Sequence, residues 1–557
     1  MRQEISPAAL PKDRPGWVAA AYLLLSCVYL IYLPHAEFVL DDWAALARYE
    51  HAREGGPRAQ LQVAIDLLRN QFHHQFRFQW LSLWIGYALY LAAGYASGLS
   101  FAVILVVHAA SAMALRQILE RLGIGSGPAF LAGAFFVLWP AAHGPLFWNY
   151  ICGFFVWANF WFLLYLRSLT CSLMRNSFDG RAAARQASLL ALALFSGDPV
   201  FGLSLAAAPV TAWCAGASFR RRGAGRRAVL LAWGTVAAAA GSYALWINRA
   251  PVLQLGVGLR YEFSLANLQS NLATIYGTHR RLSGLGEEAF YQLRATGPAL
   301  LAAAVAVGVV VVFLAGRRDA APARRRAWLL AAALWAAAYG PIWFILYPQF
   351  RHDYVPSPWA ALAAALAVCA LPKLRLAIAA ALAAGLAVAA VANIEQGWIP
   401  MSRHARDLAA ALRRGRHQSG DLIIVSGAPT WIGTAPHFAL HASWSSSPFA
   451  ERATRVHGLE AAAEIVDEAG RLRVFHRNYR RDLQPAECAR TRILLVDKHR
   501  RLSERHLLAQ QTGPDAFRVF ALRGYAGPPP SPQPVSREQL RLLEGTVYFA
   551  ERLPGRS

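Results

Sequence analysis

An acidic pair, Asp41-Asp42, stands in Phe38-Val39-Leu40-Asp41-Asp42-Trp43, just beyond a first apolar span from Trp17 to Leu33. Carboxylates placed where a helix leaves a membrane cost free energy to desolvate, so they persist where a function needs them. A carboxylate there can take a proton from a hydroxyl, help that is typically worth about 10²–10⁴-fold in rate. The same pair also suits a solvated loop start or a cap for the next helix. Arg351, in Gln349-Phe350-Arg351-His352-Asp353-Tyr354, offers complementary chemistry. A guanidinium meets phosphate oxygens with paired donors, although an arginine at an interface can also simply snorkel. Arg77 and Arg280-Arg281 are further candidates for the same chemistry. His73-His74, His143 and His352 are either metal ligands or plain hydrogen-bonding groups, and no spacing matches a closed zinc site. His437, His441 and His457 form no base-nucleophile arrangement.

The elements that must position these residues follow from hydropathy and charge. With 56% hydrophobic residues, a positive mean hydropathy and repeated apolar runs, the first 392 of the 557 residues do not read as one soluble core, and the pattern is that of a polytopic membrane protein. The net charge of +24 comes mostly from arginines that sit between the apolar runs, where the positive-inside rule accounts for them without a nucleic-acid partner. Arginine clusters before the first span and around 116–121, 167–185, 220–227, 317–326 and 373–375 are read as cytoplasmic. The short turns near 140–150, 196–200 and 347–356 hold a single basic residue, Arg351. That asymmetry predicts an inside N-terminus and an outside C-terminal segment. Eleven spans are expected, at 16–33, 100–115, 128–140, 151–166, 187–196, 200–215, 228–246, 297–315, 327–346, 357–371 and 376–392. The pair 187–196 and 200–215 is read as short helices interrupted by Ser196-Gly197-Asp198-Pro199, which makes Asp198 a cavity-lining candidate. A helix cap ahead of Pro199 is the alternative.

Two long outer loops are expected, at 34–99 and 247–296; the first carries an amphipathic helix over 42–70 and an apolar stretch, 80–98, lying at the outer surface. From Asn393 onward the apolar runs shorten and charges of both signs mix. A helix over about 402–414 ends at Gly415, and Leu422–Val425, Phe438–His441, Leu472–Phe475, Ile493–Val496 and Phe517–Leu522 read as strands. The division expected is a membrane domain over 1–392 and a small α+β domain over 393–557 outside the membrane. Of the six cysteines only Cys488 falls in the tail, so no disulfide framework is implied.

The first span and its acidic pair, followed by Phe76-Arg77-Phe78-Gln79-Trp80-Leu81-Ser82-Leu83, resemble the opening of the GT-C glycosyltransferases, a superfamily that includes protein O-mannosyltransferases and aminoarabinose transferases. His108 in Val107-His108-Ala109-Ala110, and the run from Phe135 through Trp139-Pro140-Ala141-Ala142-His143-Gly144 to Trp148, resemble that group's third-span ending and the outer turn after it. The resemblance covers roughly the first 220 residues. Where relatives often show a glutamate in that turn, this chain has Gly144 beside His143, and Ser196-Gly197-Asp198-Pro199 stands where relatives often show a lysine-glutamate pair.

The resemblance implies a GT-C-like fold and the transfer of a sugar, with inversion, from a polyprenyl-phosphate donor to a glycan, lipid or protein acceptor on the periplasmic face of a bacterial inner membrane. Asp41 would be the base with Asp42 its partner or a substrate or metal contact, and which aspartate takes the proton stays open. Arg351 and Arg77 would bind phosphate; His143, Asp198, His352 and Tyr354 would line the substrate site. A divalent cation is compatible with this chemistry, but no residue pattern requires one. Two other classes compete: an O-antigen ligase or polymerase, with essential residues in a late outer loop, and a transporter or flippase for a lipid-linked substrate, which should show related halves with paired broken helices.

Overall fold

The computed structural model describes residues 15–36, 56–69, 80–94, 97–139, 143–147, 153–175, 180–197, 200–215, 322–343, 353–371 and 375–414, the strands and connections named below in the C-terminal part, and a few single positions such as Tyr49 and Arg53. Along the chain run α1 (Pro15–Ser26), continued by a 3-10 stretch (Cys27–His35), then α2 (Gly56–Arg69), α3 (Trp80–Ala93), α4 (Ser97–Arg121), α5 (Ser126–Leu138) and the short α6 (His143–Phe147). They are followed by α7 (Gly153–Arg175), α8 (Gly180–Ser196), α9 (Phe201–Ala215), α10 (Pro322–Trp343), α11 (Ser357–Cys369) and α12 (Arg375–Asn393). A π-turn (Ile394–Trp398) leads from α12 into α13 (Ile399–Arg414).

Among the described residues four helical stretches are long and apolar enough to cross a membrane: Gly16–His35, Ser97–Arg121, Gly153–Met174 and Leu376–His404. At about 1.5 Å per residue each reaches the roughly 30 Å of a hydrocarbon core. Their outward faces are apolar too. Leu24, Val106, Leu376 and Val388 are each more than half exposed, the opposite of the polar outer face of a helix packed on a water-soluble core. The expected spans at 128–140, 200–215 and 357–371 fall in α5, α9 and α11, whose 13 to 15 residues reach only about 20 Å. The span expected at 327–346 falls in α10, and those at 228–246 and 297–315 lie outside the described residues.

Two sequence-based boundaries change. The helix expected at 187–196 starts already at Gly180, because Ala182, Gln186, Leu190 and Ala193 form one buried face on which Gln186 Nε2 donates to Ser172 Oγ at 2.9 Å. Its polar first turns carry no apolar run. The helix expected over 42–70 has its described part at α2, opened by Gly56 at φ 75°, a backbone state that an α-helix does not run through.

The chain divides into two compact units: Met1–Pro34 with Leu67–Gly86 and Gly98–Ile394, and His35–Asp66 with Tyr87–Ser97 and Glu395–Ser557. In the first, α5 is the centre, packed by α1, α11 and α12, while α7 pairs with α8 and α10 with α9 and α11. Small residues at Ala129, Ala132 and Gly133 let the neighbours close in. Tyr22 stacks on Phe130 with centroids 5.4 Å apart, and a Cβ at Gly133 would overlap the Tyr22 ring. The Tyr22 hydroxyl donates to the Phe130 carbonyl at 3.1 Å, and the Tyr29 hydroxyl to the Val137 carbonyl at 2.7 Å. Equal seven-residue steps on both segments mean that the first span and α5 run side by side in the same direction. In this unit Trp80 and Ser82 of α3 pack on the end of α8: Trp80 meets Phe195 at 5.1 Å, and Ser82 Oγ donates to the Ser196 carbonyl at 2.7 Å.

The second unit holds a five-stranded sheet in the order β5-β4-β1-β6-β7, from β1 (Leu422–Ser426), β4 (Glu460–Ile465), β5 (Leu472–Phe475), β6 (Thr491–Val496) and β7 (Leu502–Arg505). Its central pair, β1 and β6, is parallel with Ile424 opposite Ile493; the other pairs are antiparallel. A four-stranded sheet in the order β10-β9-β8-β11 is built from β8 (Leu507–Gly513), β9 (Ala516–Ala521), β10 (Val535–Ser536) and β11 (Val547–Ala550). Its core is Leu507, Ala509, Phe517 and Val519, alternate residues on one face of each strand. β2 (Trp431–Ile432) and β3 (Ala435–Pro436) form a small ribbon. The helix expected to end at Gly415 and four of the five expected strand runs are present; Phe438–His441 lies outside the described residues.

Candidate functional site

In the first unit a set of buried polar side chains converges on the C-terminal end of α5, where the last carbonyls of a helix lack partners within it. Val137 supplies one of these carbonyls. It accepts from Tyr29 at 2.7 Å and from His108 Nε2 at 3.1 Å. A carbonyl can only accept, so His108 carries its proton on Nε2, and its Nδ1 accepts from the Tyr354 hydroxyl at 2.8 Å. The sequence Tyr354 to His108 to Val137 is thus a directed chain of hydrogen bonds with every atom partnered. Tyr354 sits in the turn just before α11, next to Asp353, which accepts from the Tyr339 hydroxyl at 2.8 Å. Burial holds the Tyr354 phenol far above its ordinary pKa, so it stays a donor.

His143 opens α6, a five-residue helix whose side chains are all buried. The Tyr29 ring meets its imidazole edge-on at 5.6 Å and Phe147 packs at 5.7 Å. The Asn393 amide nitrogen, at the end of α12, donates to His143 Nδ1 at 3.3 Å. Burial, reinforced by the neighbouring His108, pushes the His143 pKa down to about 3, so the ring is neutral at physiological pH. Among the described residues its Nε2 has no hydrogen-bond partner. Asn159, within α7, lies beside the Tyr354 hydroxyl and acts against the rise in its pKa, yet neither end of its amide makes a fully formed hydrogen bond among the described residues. Leaving such groups buried and unpaired costs about 1–3 kcal/mol each, so these two side chains are where a polar ligand or an ordered water would gain most.

Of the residues singled out from sequence, His143 and Tyr354 belong to this cluster. Asp41, Asp42, Arg77, Asp198, Arg351 and His352 lie outside the described residues. The helix break expected around Asp198 falls between Ser196, the end of α8, and Val200. Sequence reasoning passed over Tyr29, Asn159 and Asn393. The signal available was a polar group inside an otherwise apolar helix, as with Asn159 in Ala158-Asn159-Phe160. Among the described residues no group of three or more His, Cys, Asp or Glu side chains is placed to hold a metal ion. Compared with known proteins, the chain matches no protein-family model and no curated protein.

Proposed function

We propose that this chain is a GT-C-like membrane glycosyltransferase of the bacterial inner membrane, moving a sugar from a polyprenyl-phosphate donor to a glycan, lipid or protein acceptor on the periplasmic face. The observation that carries the reading is the meeting of three elements at one helix end. The first span through Tyr29, the turn carrying His143 and the turn carrying Tyr354 converge at the end of α5. Asp41-Asp42 follows that first span, and Arg351 and His352 immediately precede the Asp353-Tyr354 turn. An acid, a cation and neutral hydrogen-bonding groups are what such a transfer needs. Asp41 or Asp42 takes the acceptor proton, Arg351 with Arg77 stabilises the departing phosphate, and His143, Asp198, His352 and Tyr354 line the site.

The topology of the reading has eleven spans, an inside N-terminus and a C-terminal α+β domain outside. The parallel course of the first span and α5 supports it: two helices running the same way have an odd number of crossings between them. With α4 as one crossing, a second by α3 would make the number even, so the reading keeps α3 out of the count. A divalent cation would act as a further phosphate ligand.

The test is transfer from a labelled polyprenyl-phosphate sugar by the protein in nanodiscs. D41N and D42N keep size and most hydrogen bonding while removing basicity, so turnover should fall by orders of magnitude with donor binding largely kept. Near-normal transfer by both variants would sink the catalytic assignment and bring a lipid-linked substrate transporter to the front.

A further inference from the structure

Among the described ionisable groups near the end of α5, His143 combines full burial with a ring nitrogen left without a partner. Its rings of contact are aromatic on two sides, Tyr29 and Phe147, which orient the imidazole but say nothing about its protons. The polar contact that does is Asn393. This residue closes α12, is 6% exposed, and directly precedes the π-turn Ile394–Trp398. A π-turn offsets the helix by one residue and is found disproportionately where a helix is shaped for a function. An amide N–H pointing at Nδ1 demands a lone pair there, which leaves the ring proton on Nε2.

We infer that Asn393 is a positioning residue that fixes His143 as the Nε2-protonated tautomer, so that the ring presents an N–H donor, and not a lone pair, to a ligand that reaches Nε2. The inference deepens the role given to His143 in the transferase reading and rests on that reading only for the nature of the occupant. The consequence is that His143 does not compete with the aspartates as a base. It recognises an oxygen, as a sugar hydroxyl or ring oxygen would present. The Asn159 amide, which lies beside Tyr354 and has both a donor and an acceptor to offer, suits the same neutral chemistry. His108, by contrast, has both ring nitrogens engaged and keeps to the fold.

The experiment is long-range proton–nitrogen NMR of the full chain, labelled with 15N-histidine and held in nanodiscs at neutral pH, with H143Q identifying the signals of this ring. The wild type should show Nε2 protonated and Nδ1 bare. In N393D a carboxylate faces Nδ1 and can only accept, so the proton should move to Nδ1, with turnover about tenfold lower, the worth of one hydrogen bond of this kind. In N393L, which offers neither donor nor acceptor, the single tautomer should give way to a mixture. A wild-type ring protonated on Nδ1, or a spectrum unchanged in both variants, would overturn the inference. Because the tautomer is read without any substrate, a correct tautomer in a protein that transfers no sugar would refute the transferase reading alone.

Discussion

Changing Tyr29 and Tyr354 separately to phenylalanine tests the direction of the hydrogen-bond chain at the end of α5. Both substitutions remove one buried hydroxyl of the same size, so cavity and transfer effects largely cancel in the comparison. In Y29F the Val137 carbonyl loses a 2.7 Å donor but keeps His108 Nε2 at 3.1 Å, so no polar atom is orphaned. The expected loss is about 0.5–1 kcal/mol, close to the roughly 0.6 kcal/mol average for hydrogen bonds between membrane helices. In Y354F the lost donor is the partner of His108 Nδ1, and Nε2 remains committed to Val137, so a fully buried acceptor is left bare. That costs about 1–3 kcal/mol. Reversible unfolding in mixed detergent micelles, followed by intrinsic fluorescence, would give both values. The double variant should depart from additivity, since the two hydroxyls act on one carbonyl–imidazole pair. If Y354F were no more costly than Y29F, the Nε2-protonated state of His108 and the directed chain built on it would be wrong.

Gly133→Ala should destabilise the first unit by about 1–3 kcal/mol through overlap with Tyr22, and the shorter side chain of Y22L should recover part of it, measured by the same unfolding assay. Glu504 receives two hydrogen bonds from Arg492, at 2.7 and 3.0 Å, and these hold its carboxyl below the ordinary range. A depressed carboxylate contributes stability that is complete above its unfolded pKa near 4.5 and is lost as pH falls through the lower folded value. Deuterium exchange across β6 and β7 should therefore show the wild type better protected than E504Q above about pH 4.5, the difference vanishing in stronger acid; a constant difference would refute the linkage. R351A should weaken donor binding and turnover together, and R351K should rescue only part, since lysine keeps the charge without the paired donors; equal activity of all three forms would remove Arg351 from the site. A single cysteine at position 450 should react with an impermeant reagent in intact spheroplasts, and protection there would overturn the outside placement of the C-terminal segment.

Length and hydropathy are local properties, which is why the long apolar helices could be read directly: every residue of Ser97–Arg121 or Gly153–Met174 carries its own share of the signal. The strands β1, β5, β6 and β9 were legible for the same reason, being short β-branched or aromatic runs. β4 was not. Glu-Ala-Ala-Ala-Glu-Ile has the composition of a helix, and its extended form is held by antiparallel pairing with β1 on one side and β5 on the other. The start of α8 was missed because its charged first turns carry no apolar signal, although they share a buried face with the rest.

The sequence by itself determined which segments are apolar enough for a membrane, where the arginines fall between them, and that an acid pair follows the first span. It also marked His143 and Tyr354 as residues of interest. Only the tertiary structure decided what these two contact. Tyr354 meets His108 across 246 positions and His143 meets Asn393 across 250, separations over which no periodicity carries information. The group on which the cluster converges, the Val137 carbonyl, is backbone that every residue possesses; it becomes distinctive only because a helix ends there and leaves it without a partner of its own.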